Sequence, residues 1–232
     1  MIAGMDSVVA AAVAALSVTA APTAQPQWVP GTRDAVSSMN SLFGPTGLIA
    51  TPTAYSTEHR EGRFGAFFGD GISTASGNYG LIPYIELGGA YVDRTGADDK
   101  LVANAKVTLI PQNFRNFEVG VGVIDAFDAI EQTFYVVGSA DLVVPEVRTT
   151  VRGEEFQSIG LKVHAGAGNG IFDEELFVGG ELLFTKNVSV VGEWDTNDFN
   201  AALRYAHKDY FSLQLGFFSN DFFLSATTRL RF

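Results

Sequence analysis

The chain has 232 residues, a net charge of −11 and a pI near 4.6, and it contains no cysteine. The acidic balance excludes a nucleic-acid surface, which needs an excess of Lys and Arg, and the missing cysteine excludes disulfide frameworks, thiolate metal sites and Cys nucleophiles. Charged residues make up 18% and hydrophobic residues 47%, with 19 Phe, whereas an ordinary soluble domain carries about 25% charge.

In chain order, the first feature is "SVVAAAVAALSVTAA" over 7–21, followed by "APTAQPQ". It has the length of a secretory h-region and is too short and Ala-rich for a membrane span. A signal peptide is expected over 1–27, with cleavage near 20–27. Met1–Asp6 lacks Lys and Arg, and an Ala-rich helix is the alternative. No other segment approaches ~20 apolar residues, so no transmembrane helix is expected.

Residues 28–60 are expected to form an extended N-terminal segment. Within it "GPTGLIATPTAY" (44–55) is apolar but interrupted by Pro45 and Pro52. Pro52 removes a ladder donor. One reading runs 46–55 extended, tucked against or into the periplasmic end of a lumen as a plug, with its threonine hydroxyls on lumenal charges. The other makes it an added first strand at a closing seam, because an edge or first-residue Pro is tolerated.

From 61 to 232 the chain alternates apolar and polar residues in segments of roughly ten residues. In the last, Phe222, Leu224, Ala226, Thr228, Leu230 and Phe232 share one face, and Phe223, Ser225, Thr227, Arg229 and Arg231 the other. Strands are predicted near 62–69, 75–82, 84–94, 100–110, 116–125, 132–143, 156–166, 175–185, 188–195, 198–206, 209–218 and 222–232. The predicted fold is all-β: an antiparallel up-and-down transmembrane β-barrel of about twelve strands, since strands of ~9–11 residues and an even count suit bacterial outer-membrane barrels. A soluble barrel or sandwich is the alternative.

The polar face carries Glu86, Lys106, Glu118, Lys162, His164, Glu181, Glu193, Arg204, Arg229 and Arg231. Both signs are present, so this set suits either a lumen or a solvated outer face. Gly88, Gly120, Gly122, Gly160 and Gly166 leave space on the same face. Trp194, Tyr205, Tyr210, Phe211, Phe222 and Phe232 fall near segment ends, where interfacial girdles form. The aromatic end, Phe232, is the signal such barrels present to the barrel-assembly machinery.

With a periplasmic C-terminus, the external turns hold Asp70, Asp98, Asp99, Asp125, Asp128, Glu131, Asp173, Glu174, Asp195, Asp198 and Asp221. Asp suits turns by itself; an acidic rim that binds divalent cations or repels anions is the functional reading. The longest connection, 144–155, is predicted as a periplasmic turn. His59, His164 and His207 lack metal-ligand spacing. "GAGNG" (166–170) precedes no helix, and no GxSxG exists. No catalysis, no metal and no cofactor are expected.

Three stretches, "TGLIATPTAY" (46–55), "IPYIELGGAYVDRT" (82–95) and "VSVVGEWDTNDFNAALRYAH" (188–207), resemble the YjbH-type outer-membrane proteins, the exopolysaccharide- or capsule-associated barrels. The matching residues are Gly47, Leu48, Ile49, Pro52, Thr53 and Ala54, then Glu193, Asp195, Asn200, Leu203 and Tyr205. Ala202 stands where the family usually has Gly, and the chain is a short, single-barrel member. The resemblance implies a non-enzymatic outer-membrane barrel of a diderm bacterium, accessory to export or surface assembly of polysaccharide. The lipid bilayer, the assembly machinery and a polysaccharide or export partner are its implied partners. A passive, cation-preferring, porin-like pore for small solutes and a structural cell-envelope barrel are the alternatives.

Overall fold

Alternating side chains favour extended backbone, and extended backbone needs ladder partners for every N–H and C=O. The computed structural model describes residues 39–110, 117–150, 153–156, 158–208 and 210–232. The signal peptide expected over 1–27, the first part of the segment expected over 28–60 and the turn at 111–115 lie outside the described residues.

Two short strands come first, β1 (Met39–Asn40) and β2 (Thr46–Gly47). Then follow β3 (Glu61–Gly69), β4 (Ile72–Ile82), β5 (Ile85–Arg94), β6 (Lys100–Ile110), β7 (Phe117–Ile124) and β8 (Thr133–Val143). A small hairpin, β9 (Val147–Thr150) and β10 (Gly153–Phe156), precedes β11 (Gly160–Gly168), β12 (Leu176–Thr185), β13 (Val188–Trp194), β14 (Phe199–His207), β15 (Phe211–Phe218) and β16 (Asp221–Arg231). The long strands close into one barrel, in the order β11-β12-β13-β14-β15-β16-β3-β4-β5-β6-β7-β8. Every neighbouring pair is antiparallel, and β16 meets β3 with Arg231 opposite Glu61 and Leu224 opposite Phe68.

The connection 144–155 is not a plain turn. Its β-branched Val147, Thr149 and Thr150 favour extended backbone, and β9 pairs with β10 from Val147↔Phe156 to Thr150↔Gly153. The strand predicted from 156 therefore begins at Gly160.

The outer surface decides the surround. Phe64, Phe68, Leu101, Leu109, Phe134, Phe217, Phe222 and Leu230 all point outward and are exposed, as are Trp194, Tyr205, Tyr210 and Phe232. A contiguous apolar surface of this extent does not face water in a soluble monomer. Inside, the barrel buries charged side chains. This inverted polarity, with each ladder closed on itself, is what a hydrocarbon surround demands. The fold is a transmembrane β-barrel.

The interior has two storeys. Toward the end where β3 begins and β16 ends, the wall carries Glu61, Glu86, Glu118, Asp141 and Glu181 together with Arg63, Lys106, Lys162, Arg204 and Arg229. The charges balance and pair across strands: Lys106 lies 3.5 Å from Glu86, Arg204 3.6 Å from Glu181 and Arg229 3.3 Å from Glu61. Toward the other end an apolar cluster that includes Phe67, Val92, Val102, Ile124, Phe177 and Phe223 lines the interior, with the polar side chains of Thr74, Asn104, Glu193 and Asn200 buried among it. Phe67 and Phe223 stack at 4.8 Å between centroids.

The glycines expected to leave free space mostly do not. A Cβ on Gly122 would meet the Tyr135 hydroxyl, one on Gly166 the Phe177 ring and one on Gly88 the Asn78 side chain. Gly160 is covered by Pro145 and Leu183. Neighbouring strands fill those gaps with their own side chains. Only at Gly120, among these five, does the segment inside the barrel approach, with Ala54 Cα 3.1 Å from the position of a Cβ.

Candidate functional site

Residues 39–57 lie inside the barrel and carry no charged side chain. The segment is not a member of the barrel ladder. It folds on itself: β1 pairs with β2 through Met39↔Gly47 and Asn40↔Thr46. The intervening turn is closed by Ser41 N–H to Pro45 C=O at 2.8 Å and Gly44 N–H to Ser41 C=O at 2.9 Å. Gly44 has φ 111, which only glycine adopts without strain. A second turn brings Leu48 N–H to Thr51 C=O at 2.9 Å, and Gly47 bridges Pro52. A Cβ on Gly47 would stand 2.3 Å from the Thr51 oxygen, so this turn closes only around glycine. Pro52 brings no N–H that needs a partner inside the lumen.

This fold leaves several backbone groups of the segment unpaired, and the wall supplies their partners, as buried backbone polar groups require. Carboxylates take the N–H groups. Glu193 accepts from Ile49 N–H at 3.1 Å, Ala50 N–H at 2.7 Å and Thr51 N–H at 3.3 Å, and from the Thr51 hydroxyl at 2.7 Å. Glu86 accepts from Thr46 N–H at 2.9 Å and Thr57 N–H at 2.7 Å, and from their hydroxyls at 2.5 and 2.7 Å. Donors of the wall take the carbonyls. Asn78 donates to Gly44, Asn104 to Phe43, Lys106 to Thr46, Thr108 to Ala54 and Arg204 to Gly47. Leu42, Phe43, Leu48 and Ile49 meanwhile pack into the apolar storey.

The segment leaves beside β4. Arg60 N–H donates to Gly80 C=O at 2.9 Å, and His59 bridges Gly80 in parallel. A Cβ on Gly80 would lie 1.9 Å from the Glu58 carbonyl oxygen. Gly80→Ala is therefore expected to push Thr57 and Glu58 off the wall. Limited proteolysis of the folded barrel should cut near 57–60 faster than in the wild type, and equal rates would refute this.

The structure places the predicted inward residues as follows. Glu86, Lys106, Glu193 and Arg204 bond the segment directly. Lys162 stands 5.3 Å from the Tyr55 ring centre and 4.0 Å from Asp141, and His164 meets the edge of Tyr55 at 5.6 Å. His164 Nδ1 is 2.8 Å from the Ser139 hydroxyl, which accepts from Ala54 N–H at 2.9 Å. Glu118, Glu181 and Arg229 are buried in the wall. Arg231 is different: its side chain is 56% exposed at the barrel mouth, on Glu58 and Glu61. Asn104 shares the predicted polar face with Lys106, but Glu61, Arg63, Asn78, Ser139 and Asp141 are absent from the predicted inward set, although each lies at an even offset from a residue on the inner face.

Two of the stretches carrying the YjbH-type resemblance meet here. Gly47, Leu48, Ile49, Pro52, Thr53 and Ala54 form the segment, and Glu193 with its cross-strand neighbour Asn200 forms its anchor. Asp195 instead shapes the β13–β14 turn, accepting from Asn197 and Asp198 N–H at 3.1 and 2.8 Å. Tyr205 points outward.

Several of the acidic turn residues are occupied locally. Asp125, at φ 56, accepts from Ile130 and Glu131 N–H, and Asp128, at φ 57, from Gln132 N–H. Asp99 accepts from the Tyr91 hydroxyl. Turn chemistry accounts for these carboxylates. Among the described residues no group of three or more His, Asp or Glu is placed to hold a metal ion.

Fold and site together define a membrane-spanning β-barrel whose lumen is filled by its own N-terminal segment. No family model matches the chain, and no curated protein matches it. Among solved structures, "KdgM porin" superposes with a TM-score of 0.49 at 11% identity, covering 74% of this chain and 99% of that one. "KdgM porin in complex with disordered oligogalacturonate" superposes with a TM-score of 0.48 at 11% identity and the same coverage.

Proposed function

We propose that this protein is a non-enzymatic, porin-like channel in the outer membrane of a diderm bacterium, held closed by residues 39–57. The observation that carries this reading is the mode of attachment. The segment is fixed by side-chain hydrogen bonds to the wall and by apolar packing, not by the barrel ladder. It can therefore leave without breaking the barrel. With it displaced, both carboxylates, Glu86 and Glu193, lose their N–H and O–H partners. Glu86 keeps Lys106 within the balanced set, and Glu193, left with the neutral Asn200 amide, is the additional negative charge on the wall that favours cations.

The test is planar-bilayer conductance of the wild type beside Thr46→Val/Thr51→Val. These changes keep side-chain volume and remove the hydroxyls on Glu86 and Glu193. Each lost bond to a charged acceptor is worth about 1.5–3 kcal/mol, so the open population should rise at least about a hundredfold. Steady, cation-preferring steps are expected in the variant and rare openings in the wild type. No conductance in either sinks the proposal.

A second reading, an accessory role in polysaccharide export, is favoured by the meeting of the two resembling stretches at Glu193. It predicts that deleting the gene alters surface glycan while the purified wild-type and variant barrels conduct alike.

A further inference from the structure

The segment that fills this charged lumen is itself uncharged, and it engages both Glu86 and Glu193 in the same chemical way. To Glu86 it offers two N–H and two O–H groups, and to Glu193 three N–H groups and one hydroxyl, at 2.5 to 3.3 Å. The segment itself meets both carboxylates with close-set neutral donors, while the wall adds Lys106 at 3.5 Å from Glu86 and the Asn200 amide on Glu193. Beyond Glu193 the segment lays apolar side chains against Phe67, Phe177 and Phe223. A solute that takes the segment's place must match the same wall. It needs several neighbouring O–H or N–H donors, apolar faces to lie on aromatic rings, and no negative charge to set against Glu86 and Glu193. A neutral saccharide has this combination: vicinal hydroxyls on its edges and C–H faces above and below the ring. An acidic saccharide fails the last requirement.

Resting on the channel reading above, we infer that the wall exposed when residues 39–57 move is a binding path for neutral oligosaccharides. Glu193 with Asn200 forms one subsite. Glu86 with Lys106 forms another toward the charged end, where the ammonium, released from Thr46 C=O, becomes a donor to sugar oxygens. The segment acts as an internal competitor. A saccharide that binds only the displaced state must stabilise that state by mass action.

Two readouts test this, and maltohexaose is the probe in both. In the first, Ala50→Cys, the only thiol of the chain, reports displacement of the segment through maleimide labelling of the folded barrel. Maltohexaose is expected to raise the labelling rate and trigalacturonate to leave it unchanged. In the second, maltohexaose is expected to interrupt current through Thr46→Val/Thr51→Val. Adding Glu193→Gln to that background should raise the half-blocking concentration at least about tenfold, the factor that one weakened charged hydrogen bond carries. Labelling indifferent to maltohexaose, block unchanged by Glu193→Gln, or stronger block by trigalacturonate each overturns the inference. A barrel that conducts but ignores sugar refutes this inference alone. A barrel that never conducts refutes the channel reading, and this one with it.

Discussion

Replacing Glu193 by alanine is expected to free residues 48–51 from the wall while the barrel itself persists. One side chain receives the N–H groups of Ile49, Ala50 and Thr51 and the Thr51 hydroxyl. Among the described residues no other wall side chain holds so many of the segment's donors at that storey, where an apolar cluster surrounds it. Leaving one buried donor without a partner costs about 1–3 kcal/mol. Water entering from the mouth recovers part of this, so a net loss of about 3 kcal/mol is reasonable for four donors. That is roughly a hundredfold in the displaced population. A cysteine at Ala50 should become labelled about a hundred times faster in the Glu193→Ala background, because labelling through local opening follows the open population. The heat-modifiable gel shift of the barrel should remain. Unchanged labelling would show that the apolar contacts of Leu48 and Ile49 suffice to hold the segment.

The second large effect is expected at the seam. Strands β3 and β16 are the first and last of the barrel, and nothing but their ladder and side chains joins them. Glu61 on β3 lies 2.6 Å from Arg63 Nε, 3.3 Å from Arg229 Nε and 3.4 Å from Arg231 Nε. Glu61 and Arg63 are each 1% exposed, so removing the carboxylate leaves buried cations facing one another. Breaking a buried pair in this way costs about 3–5 kcal/mol. Glu61→Ala should lower the temperature at which the barrel loses its compact gel migration by roughly 10 °C, at ~2–4 °C per kcal/mol for a domain of this size. Arg231→Gln is the control. Its side chain is mostly exposed, and an exposed pair contributes about 1 kcal/mol or less, so its shift should be within a few degrees. Equal shifts for the two variants would remove the seam from the account.

Much of the barrel was legible in the chain because strand alternation is a local property. The predicted strand at 100–110 is β6 residue for residue, and the one at 84–94 differs from β5 by one. The hairpin β9–β10 was missed because its strands are four residues long, too short for a period of two to declare itself. The interior glycines misled for a related reason. A gap at Gly166 exists in its own strand, but Phe177 on β12 fills it, and that pairing is a matter of register.

The site was legible only in part. Thr46, Thr51, Pro45 and Pro52 mark 44–55 as a segment unsuited to the ladder. Its destination depends on contacts that no local window contains: Glu193 is 142 to 144 residues away from the amides it receives. The two storeys of the lumen are equally non-local. Val191 and Glu193 lie two apart on one inward face, one in the apolar cluster and one a carboxylate, and only the ring of neighbouring strands gives each its surroundings.

By itself, then, the amino-acid sequence determined strands with one apolar and one polar face, in the number and length of an antiparallel barrel, and the exposed apolar surface of the fold decided that the polar face turns inward. The backbone turns each successive side chain to the opposite face, whatever lies beyond the strand. The tertiary structure alone decided what fills the barrel. A buried carboxylate takes its role from the donors brought to it, and here those donors arrive from the far end of the chain.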